Sequence, residues 1–248
     1  MLIIFISKNQ FSKVIGVLGG MGPEATIQFY KELILICQKE YGSKYDNEFP
    51  NIIIYNLPVP DVVEGIRQPK KVLQVLKRGI KTLEIAGVDF IVVPCNTINY
   101  FYKDMVKMTK LPIYNIIEET TKAVNSKKFR NVGVIATKTT IKTKLYKKIF
   151  NKYKIKLLLP DKNSRELTNK IILNILEGKR LKKDKEALLK IVQEFKTKGA
   201  EAIVLGCTEL PLLIKQKEID IPIFDTIKVL ADSTIKYSIQ SGGLQKVI

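Results

Sequence analysis

Two cysteines follow two similar apolar stretches of the chain. The first stretch runs from Gly87 to Cys95 and the second from Gly199 to Cys207, so each thiol comes eight residues after a glycine. The β-branched and aromatic residues between them predict buried central strands of a parallel sheet. Ligands bind at the carboxyl ends of such strands, which is where both thiols would lie.

Two thiols that face each other can invert a stereocentre that carries an acidic hydrogen. One group removes the proton from one face of the carbanion, and the other delivers a proton to the opposite face. A free cysteine has a pKa near 8.5, so one thiol must be activated as a thiolate while the other stays an acid. The chain has no histidine, which excludes a Cys–His nucleophile pair and disfavours a zinc site, so we predict no metal. A single buried cysteine is usually core packing, and we interpret Cys37, on the first predicted helix, in that way.

Other segments of the chain are also repeated in the same order. Residues 131–137 resemble 14–20, and residues 221–227 resemble 111–117; with the cysteines, the three offsets are 117, 112 and 110 residues. We predict an α/β fold of two similar domains related by a pseudo-twofold axis, each a mostly parallel sheet flanked by helices. Both thiols would then line one cleft between the domains. The predicted boundaries are 1–13 for an N-terminal extension, 14–117 plus 228–248 for the first domain, and 118–227 for the second.

A glycine-rich loop, residues 19–26, connects the first core strand to an amphipathic helix. Pro23 and Glu24 suit the first turn of that helix. The pattern Gly20-x-Gly22-x-x-Ala25 also fits a dinucleotide fingerprint, but the next strand ends in Asn56 without the acidic residue that this fingerprint requires. An anion or a carboxylate bound by the loop amides is the favoured alternative.

Composition favours a globular protein. The 248 residues are 46% hydrophobic, which is enough for a sizeable core, and no segment is long and apolar enough to span a membrane. The net charge of +18 comes from lysines scattered along nearly every predicted helix, so we predict a solvated basic surface and no nucleic-acid partner, with a polyanion site as the less favoured alternative. Three cysteines and no signal-like start indicate reduced thiols and a cytoplasmic location.

Five motifs together resemble the aspartate/glutamate racemase family, and most closely its cofactor-independent aspartate racemase branch. The motifs are Gly-Gly-Met-Gly-Pro-Glu-Ala-Thr (19–26), Pro-Cys-Asn-Thr (94–97), Ile-Glu-Glu-Thr (117–120), Ala-Thr-Lys-Thr-Thr (136–140) and Gly-Cys-Thr-Glu-Leu (206–210). The resemblance covers about residues 14 to 240. It implies two similar α/β domains, an active site between them, no pyridoxal phosphate or other cofactor, a small amino-acid substrate and a homodimer.

The resemblance also implies roles for individual residues. Cys95 and Cys207 match the two acid/base thiols. The substrate-binding candidates are Met21, Asn56, Asn96, Thr97, Thr137, Thr140, Lys179, Thr208 and Glu209. Any of the threonines could instead be a helix N-cap, whereas Asn96, directly after a buried thiol, needs hydrogen-bond partners.

The sequence departs from the family where the substrate side chain is recognised. Tyr45 and Val62 stand where an arginine is expected, and Asn99 replaces a histidine. If neither Lys179 nor Arg180 reaches the cleft, we expect a substrate without a side-chain carboxylate. We predict an aspartate racemase; the alternatives are a racemase or isomerase of another acid, such as glutamate or maleate, and a non-catalytic ligand-binding protein.

Overall fold

The computed structural model describes residues 10–239, in which strands and helices alternate. The strands are β1 (Ile15–Gly19), β2 (Ile52–Asn56), β3 (Phe90–Val92), β4 (Ile113–Tyr114), β5 (Asn131–Ala136), β6 (Lys156–Leu158), β7 (Ala202–Gly206) and β8 (Ile223–Asp225). The helices are α1 (Pro23–Tyr41), α2 (Pro69–Ile85), α3 (Tyr102–Met105), α4 (Ile116–Ser126), α5 (Lys138–Lys142), α6 (Leu145–Lys152), α7 (Lys162–Leu176), α8 (Lys182–Thr197) and α9 (Thr226–Ser238). Short 3-10 turns lie at Asp46–Glu48, Thr97–Phe101, Leu210–Leu212 and Gln216–Glu218.

Within these residues the strands form two parallel four-stranded sheets of the same topology. The first has the order β2-β1-β3-β4 and the second β6-β5-β7-β8, so the second half of the chain repeats the first. The central strands β1, β3 and β7 are buried along their whole length, whereas the edge strands β2 and β6 are partly exposed. The predicted α/β fold of two similar halves is confirmed.

Helix α1 shows how the sequence sets the element boundaries. Pro23 occupies the first turn, where its missing N–H costs nothing. Gly42 ends the helix with φ 70°, a left-handed conformation that glycine adopts without steric cost. Between these ends, Phe29, Leu33 and Cys37 form a buried stripe, and burial of that stripe fixes α1 against the core.

The two halves share one hydrophobic core. Val17 and Val92 of the first sheet belong to the same buried cluster as Val134 and Val204 of the second. The opposite face of each sheet packs into a core of its own. Helix α9 follows the second sheet and packs against α1 and α4 of the first half, so the halves are held together by a continuous apolar interface.

The predicted extension lies partly outside the described residues, which begin at residue 10. Phe11 forms an antiparallel bridge with Ile239, and the backbone N–H groups of Ser12 and Lys13 donate to the carbonyl of Ser238. The domain boundaries given above stay a prediction. Between residues 10 and 239, no helix is long and apolar enough to cross a membrane.

Substitutions in α1 test the shared core. Leu33 is fully buried and Ile27 on the same helix is 69% exposed. We expect Leu33→Ala to lower the free energy of unfolding by about 2–5 kcal/mol because it leaves a cavity. Ile27→Ala should change it by less than about 0.5 kcal/mol. Urea unfolding followed by circular dichroism measures both, and equal losses would contradict this packing.

Candidate active site

Both candidate thiols line one cavity of about 150 Å³ between the two halves. Its wall is formed by Gly20, Met21, Gly22, Val59, Pro60, Asp61, Val62, Val63, Cys95, Asn96, Thr97, Thr137, Leu176, Cys207, Thr208 and Glu209. The residues come from the loops that follow β1, β2, β3, β5 and β7, together with the end of α7. The cavity therefore lies at the carboxyl ends of both sheets, where ligands of parallel α/β folds bind.

The thiols occupy equivalent positions. Cys207 directly follows β7, and Cys95 follows β3 after two residues. Both side chains are buried, at 7% exposure for Cys95 and 5% for Cys207. Strands β3 and β7 each have a bonded neighbour on both sides, which fixes the backbone from which each thiol projects.

Burial keeps both thiols protonated at neutral pH. Burial, together with the nearby Glu209, raises the pKa of Cys95 to about 12, although the backbone N–H groups of Ile98 and Thr97 act in the opposite direction. Burial likewise raises the pKa of Cys207 well above its usual value, and the charge of the Glu209 side chain raises it too. The backbone N–H of Glu209 acts in the opposite direction and lowers this pKa. Because the N–H groups of the following turn point at each sulfur, they favour a thiolate once a base removes the proton.

The side chain of Glu209 is hydrogen-bonded to the Cys207 thiol. The Cys207 thiol donates a hydrogen bond of 3.0 Å to Glu209 Oε2, and the Thr208 hydroxyl donates a second one of 3.0 Å to the same oxygen. Glu209 is 5% exposed, and burial raises the pKa of its carboxyl group. A thiol and a carboxylate in direct contact, both with raised pKa values, form a pair that can exchange one proton.

Asn96 connects the two halves through its amide. Its Nδ2 donates to Thr226 Oγ1 at 3.0 Å, and its Oδ1 accepts from the Tyr146 hydroxyl at 2.7 Å. Burial raises the pKa of Tyr146, so the phenol stays protonated and donates. The partners that a buried amide requires are therefore supplied by α6 and α9.

Three threonine hydroxyls form a second connection. Thr97 Oγ1 lies 3.0 Å from both Thr137 Oγ1 and Thr140 Oγ1, and Thr137 donates to Thr140 over 3.0 Å. Thr137 is also the N-cap of α5, since its side chain accepts from the Thr140 N–H. The helix-cap and the substrate-binding interpretations of Thr137 are compatible, because the same residue caps α5 and lines the cavity.

The glycine loop brings α1 close to the second half. A Cβ on Gly22 would lie 3.0 Å from Glu209 Oε1 and 3.4 Å from Leu176, and a Cβ on Gly20 would lie 2.6 Å from the Leu57 nitrogen. Gly20 also has φ +89°. Only glycine lets the backbone pass this close to the carboxyl group.

Not every predicted residue lies at the cavity. Cys95, Cys207, Met21, Asn96, Thr97, Thr137, Thr208 and Glu209 line it. Thr140 is not part of the lining but is hydrogen-bonded to the lining residues Thr97 and Thr137. Asn56 is exposed at the end of β2, with its Oδ1 beside Gly20. Lys179 lies outside the cavity, where it pairs with Glu177.

Sequence reasoning missed Tyr146 and Thr226, as well as Asp61, Val63 and Leu176 in the cavity wall. The last three lie in the loop after β2 and at the end of α7, without a motif of their own. Among the described residues, no group of three or more His, Cys, Asp or Glu side chains could hold a metal ion.

Two parallel α/β halves with one thiol from each at a shared cavity are the arrangement that the racemase resemblance implied. A model of the Asp/Glu/Hydantoin racemase family matches residues 18–234. The chain belongs to this family.

Several proteins that are similar to this chain are racemases. The broad-specificity amino-acid racemase RacX of Bacillus subtilis (strain 168) is 30% identical over 222 residues, which cover 90% of this chain and 96% of RacX. A glutamate racemase of Aquifex aeolicus (strain VF5) is 29% identical over 68% of this chain and 65% of its own length. The structure of Picrophilus torridus aspartate racemase superposes with a TM-score of 0.81 at 28% identity and covers 92% of this chain and 94% of that chain.

A single hydroxyl tests the connection between the halves. Tyr146→Phe removes the donor to Asn96 Oδ1 and leaves a buried acceptor without a partner, so we expect a loss of about 1–3 kcal/mol in the free energy of unfolding. Tyr153→Phe is the matched control, because no hydrogen bond joins the Tyr153 hydroxyl to the rest of residues 10–239. Urea titrations compare the two; an unchanged Tyr146→Phe variant would show that the bond adds nothing to stability.

Proposed function

We propose that this protein is a cofactor-independent amino-acid racemase that uses Cys95 and Cys207 as its two acid/base groups. The observation that carries the proposal is the meeting of two thiols, from equivalent positions of two repeated halves, at one cavity. Membership of the racemase family supports it.

In the proposed reaction, Glu209 first accepts the Cys207 proton, so that a thiolate and a carboxylic acid form without a net change in charge. The thiolate then takes the α-proton of the substrate, and the thiol of Cys95 gives its proton to the opposite face of the planar carbanion. The sulfur of Cys95 is then the thiolate and Cys207 the thiol, ready for the reverse direction. Reaction in either direction needs one thiolate and one thiol.

The carbanion needs electrostatic support at the substrate carboxylate. Helix α1 begins at Pro23 beside the cavity, so the positive end of its dipole and the loop of Gly20–Gly22 face the site. The hydroxyls of Thr97, Thr137 and Thr208 lie along the same wall. Prearranged dipoles of this kind stabilise developing negative charge without reorganising.

Aspartate is the substrate predicted from the resemblance, and glutamate or a range of amino acids are the other candidates within the family. Maleate isomerisation would instead proceed through a covalent adduct on one thiol. A homodimer and a cytoplasmic location stay predictions, and light scattering of the purified protein tests the first.

Cysteine variants test the roles of the thiols. We expect Cys95→Ala and Cys207→Ala each to abolish racemisation, because either variant leaves one face of the carbanion without a proton donor. Cys37→Ala is the matched control, since Cys37 is also a buried thiol but lies in the α1 core. Chiral chromatography of a panel of L-amino acids, without added cofactor, measures the rates. Full activity in either site variant would contradict the proposal.

Glu209→Gln tests the proposed proton acceptor. General-base contributions are about 10²–10⁴-fold, and we expect a loss of that size at pH 7.5. In the variant the thiolate forms only by loss of a proton to water. Burial raises the pKa of Cys207, so the fraction of thiolate in the variant should rise steadily from pH 7 to pH 10. The racemisation rate of the variant should rise with it, and the difference in rate from the wild type should become smaller.

Glu166→Gln, an exposed carboxylate of α7, is the control for this series and should leave the pH profile of kcat/KM unchanged. A constant ratio between wild type and Glu209→Gln at every pH would show that Glu209 does not act as the base.

A further inference from the structure

The cavity wall that is left for a substrate side chain is apolar and acidic. Met21, Val59, Val62, Val63 and Leu176 supply its aliphatic surface. The charged residues along the described lining are Asp61 and Glu209, and both are acids. Lysine and arginine make up 42 of the 248 residues, yet none of those in the described part of the chain lines this cavity.

From this lining we infer that the substrate side chain is uncharged or cationic and carries no carboxylate. The inference rests on the proposed racemase function and replaces the predicted aspartate by another class of amino acid. A buried carboxylate needs a cation or several N–H donors to offset the loss of its hydration. Asp61 and Glu209 would instead repel it.

The two basic residues expected near the site are already engaged. Arg180 is ion-paired with Glu24 of α1 and donates to the Ile175 and Lys179 carbonyls. Lys179 is paired with Glu177. Neither lines the cavity.

Val62 explains why the wall cannot supply the charge itself. It is 6% exposed within the same apolar cluster as Cys95 and has no group that could pair with a carboxylate. Its neighbour Val63 holds the wall in place, because the Thr139 hydroxyl of the other half donates to the Val63 carbonyl at 2.9 Å. A substrate side chain with an aliphatic stem would pack against this apolar wall.

Asp61 gives the wall one polar end. Its Oδ1 accepts from the Val63 N–H at 2.9 Å, and no cation of the described chain forms an ion pair with it. The residue is exposed, at the rim of the cavity. The lysine side chain, with an apolar stem and a terminal ammonium group, would place its charge beside this carboxylate. The methionine side chain would contact only the aliphatic residues of the wall.

The test measures kcat/KM of the wild-type protein for L-methionine, L-lysine, L-aspartate and L-glutamate, by chiral chromatography and by loss of the α-proton signal in deuterated water. We expect kcat/KM for methionine or lysine to exceed that for aspartate and glutamate by at least about 100-fold. Discrimination of this order is expected when a site offers no partner to a polar group of the substrate. Asp61→Asn should lower the lysine-to-methionine ratio by roughly 2–5-fold, as for an exposed ion pair.

A gain of function provides the positive control. Val62→Arg should raise kcat/KM for aspartate by at least about 10-fold relative to methionine, since it adds the missing cation. Because Val62 is buried, Val63→Arg, at a partly exposed position of the same wall, is tested beside it, and circular dichroism shows which variants fold.

The outcomes separate the two claims. Turnover of aspartate or glutamate that equals or exceeds turnover of methionine and lysine would overturn the inference and leave the racemase function standing. In that case a loss of the acid activity in Arg180→Gln would identify Arg180 as the cation that enters the cavity. Absence of α-proton exchange with these four and with the full panel of L-amino acids would remove the proposed function, and the inference with it.

Discussion

Parallel hydrogen bonding on both sides of β3 and β7 determines where the two thiols lie. Strand β3 lies between β1 and β4, and β7 lies between β5 and β8. The carboxyl end of each strand is therefore fixed by backbone hydrogen bonds to two neighbouring strands. Because the second half repeats the order of the first, the same structural position occurs twice. The shared core then brings the two strand ends to one cavity, and the remaining features of the site depend on this placement.

Hydrogen bonds between the halves place uncharged polar groups beside the thiols. Asn96 joins Tyr146 and Thr226, and Thr97 joins the threonines of α5. In such a buried setting dipoles act strongly because little water screens them. Burial also suits a thiol to the proposed acid role, since it raises the pKa of the thiol and the protonated side chain is neutral and inexpensive to bury. The cost is that a base must be close by, and Glu209, which accepts a hydrogen bond from the Cys207 thiol, is the group we propose for that role.

Much of this arrangement can be predicted from the sequence, because strands, glycine loops and repeated motifs are local signals. Apolar runs that end in Cys95 and Cys207, and their repetition, were sufficient to predict two α/β halves. The partners of Asn96 could not be predicted in this way, since Tyr146 is 50 and Thr226 is 130 residues away, and nothing in either segment marks them as neighbours. Lys179 shows the converse: the family resemblance implied a substrate ligand, whereas the fold places it outside the cavity lining and pairs its ammonium with Glu177.

The most direct measurement is α-proton exchange in deuterated water with each pure enantiomer, using Cys95→Ala and Cys207→Ala variants and the amino acid that the wild type turns over fastest. If the thiols act on opposite faces of one carbanion, each variant retains one thiol and exchanges one enantiomer only, and the two variants choose opposite enantiomers. Exchange of the same enantiomer by both variants would contradict the two-thiol account.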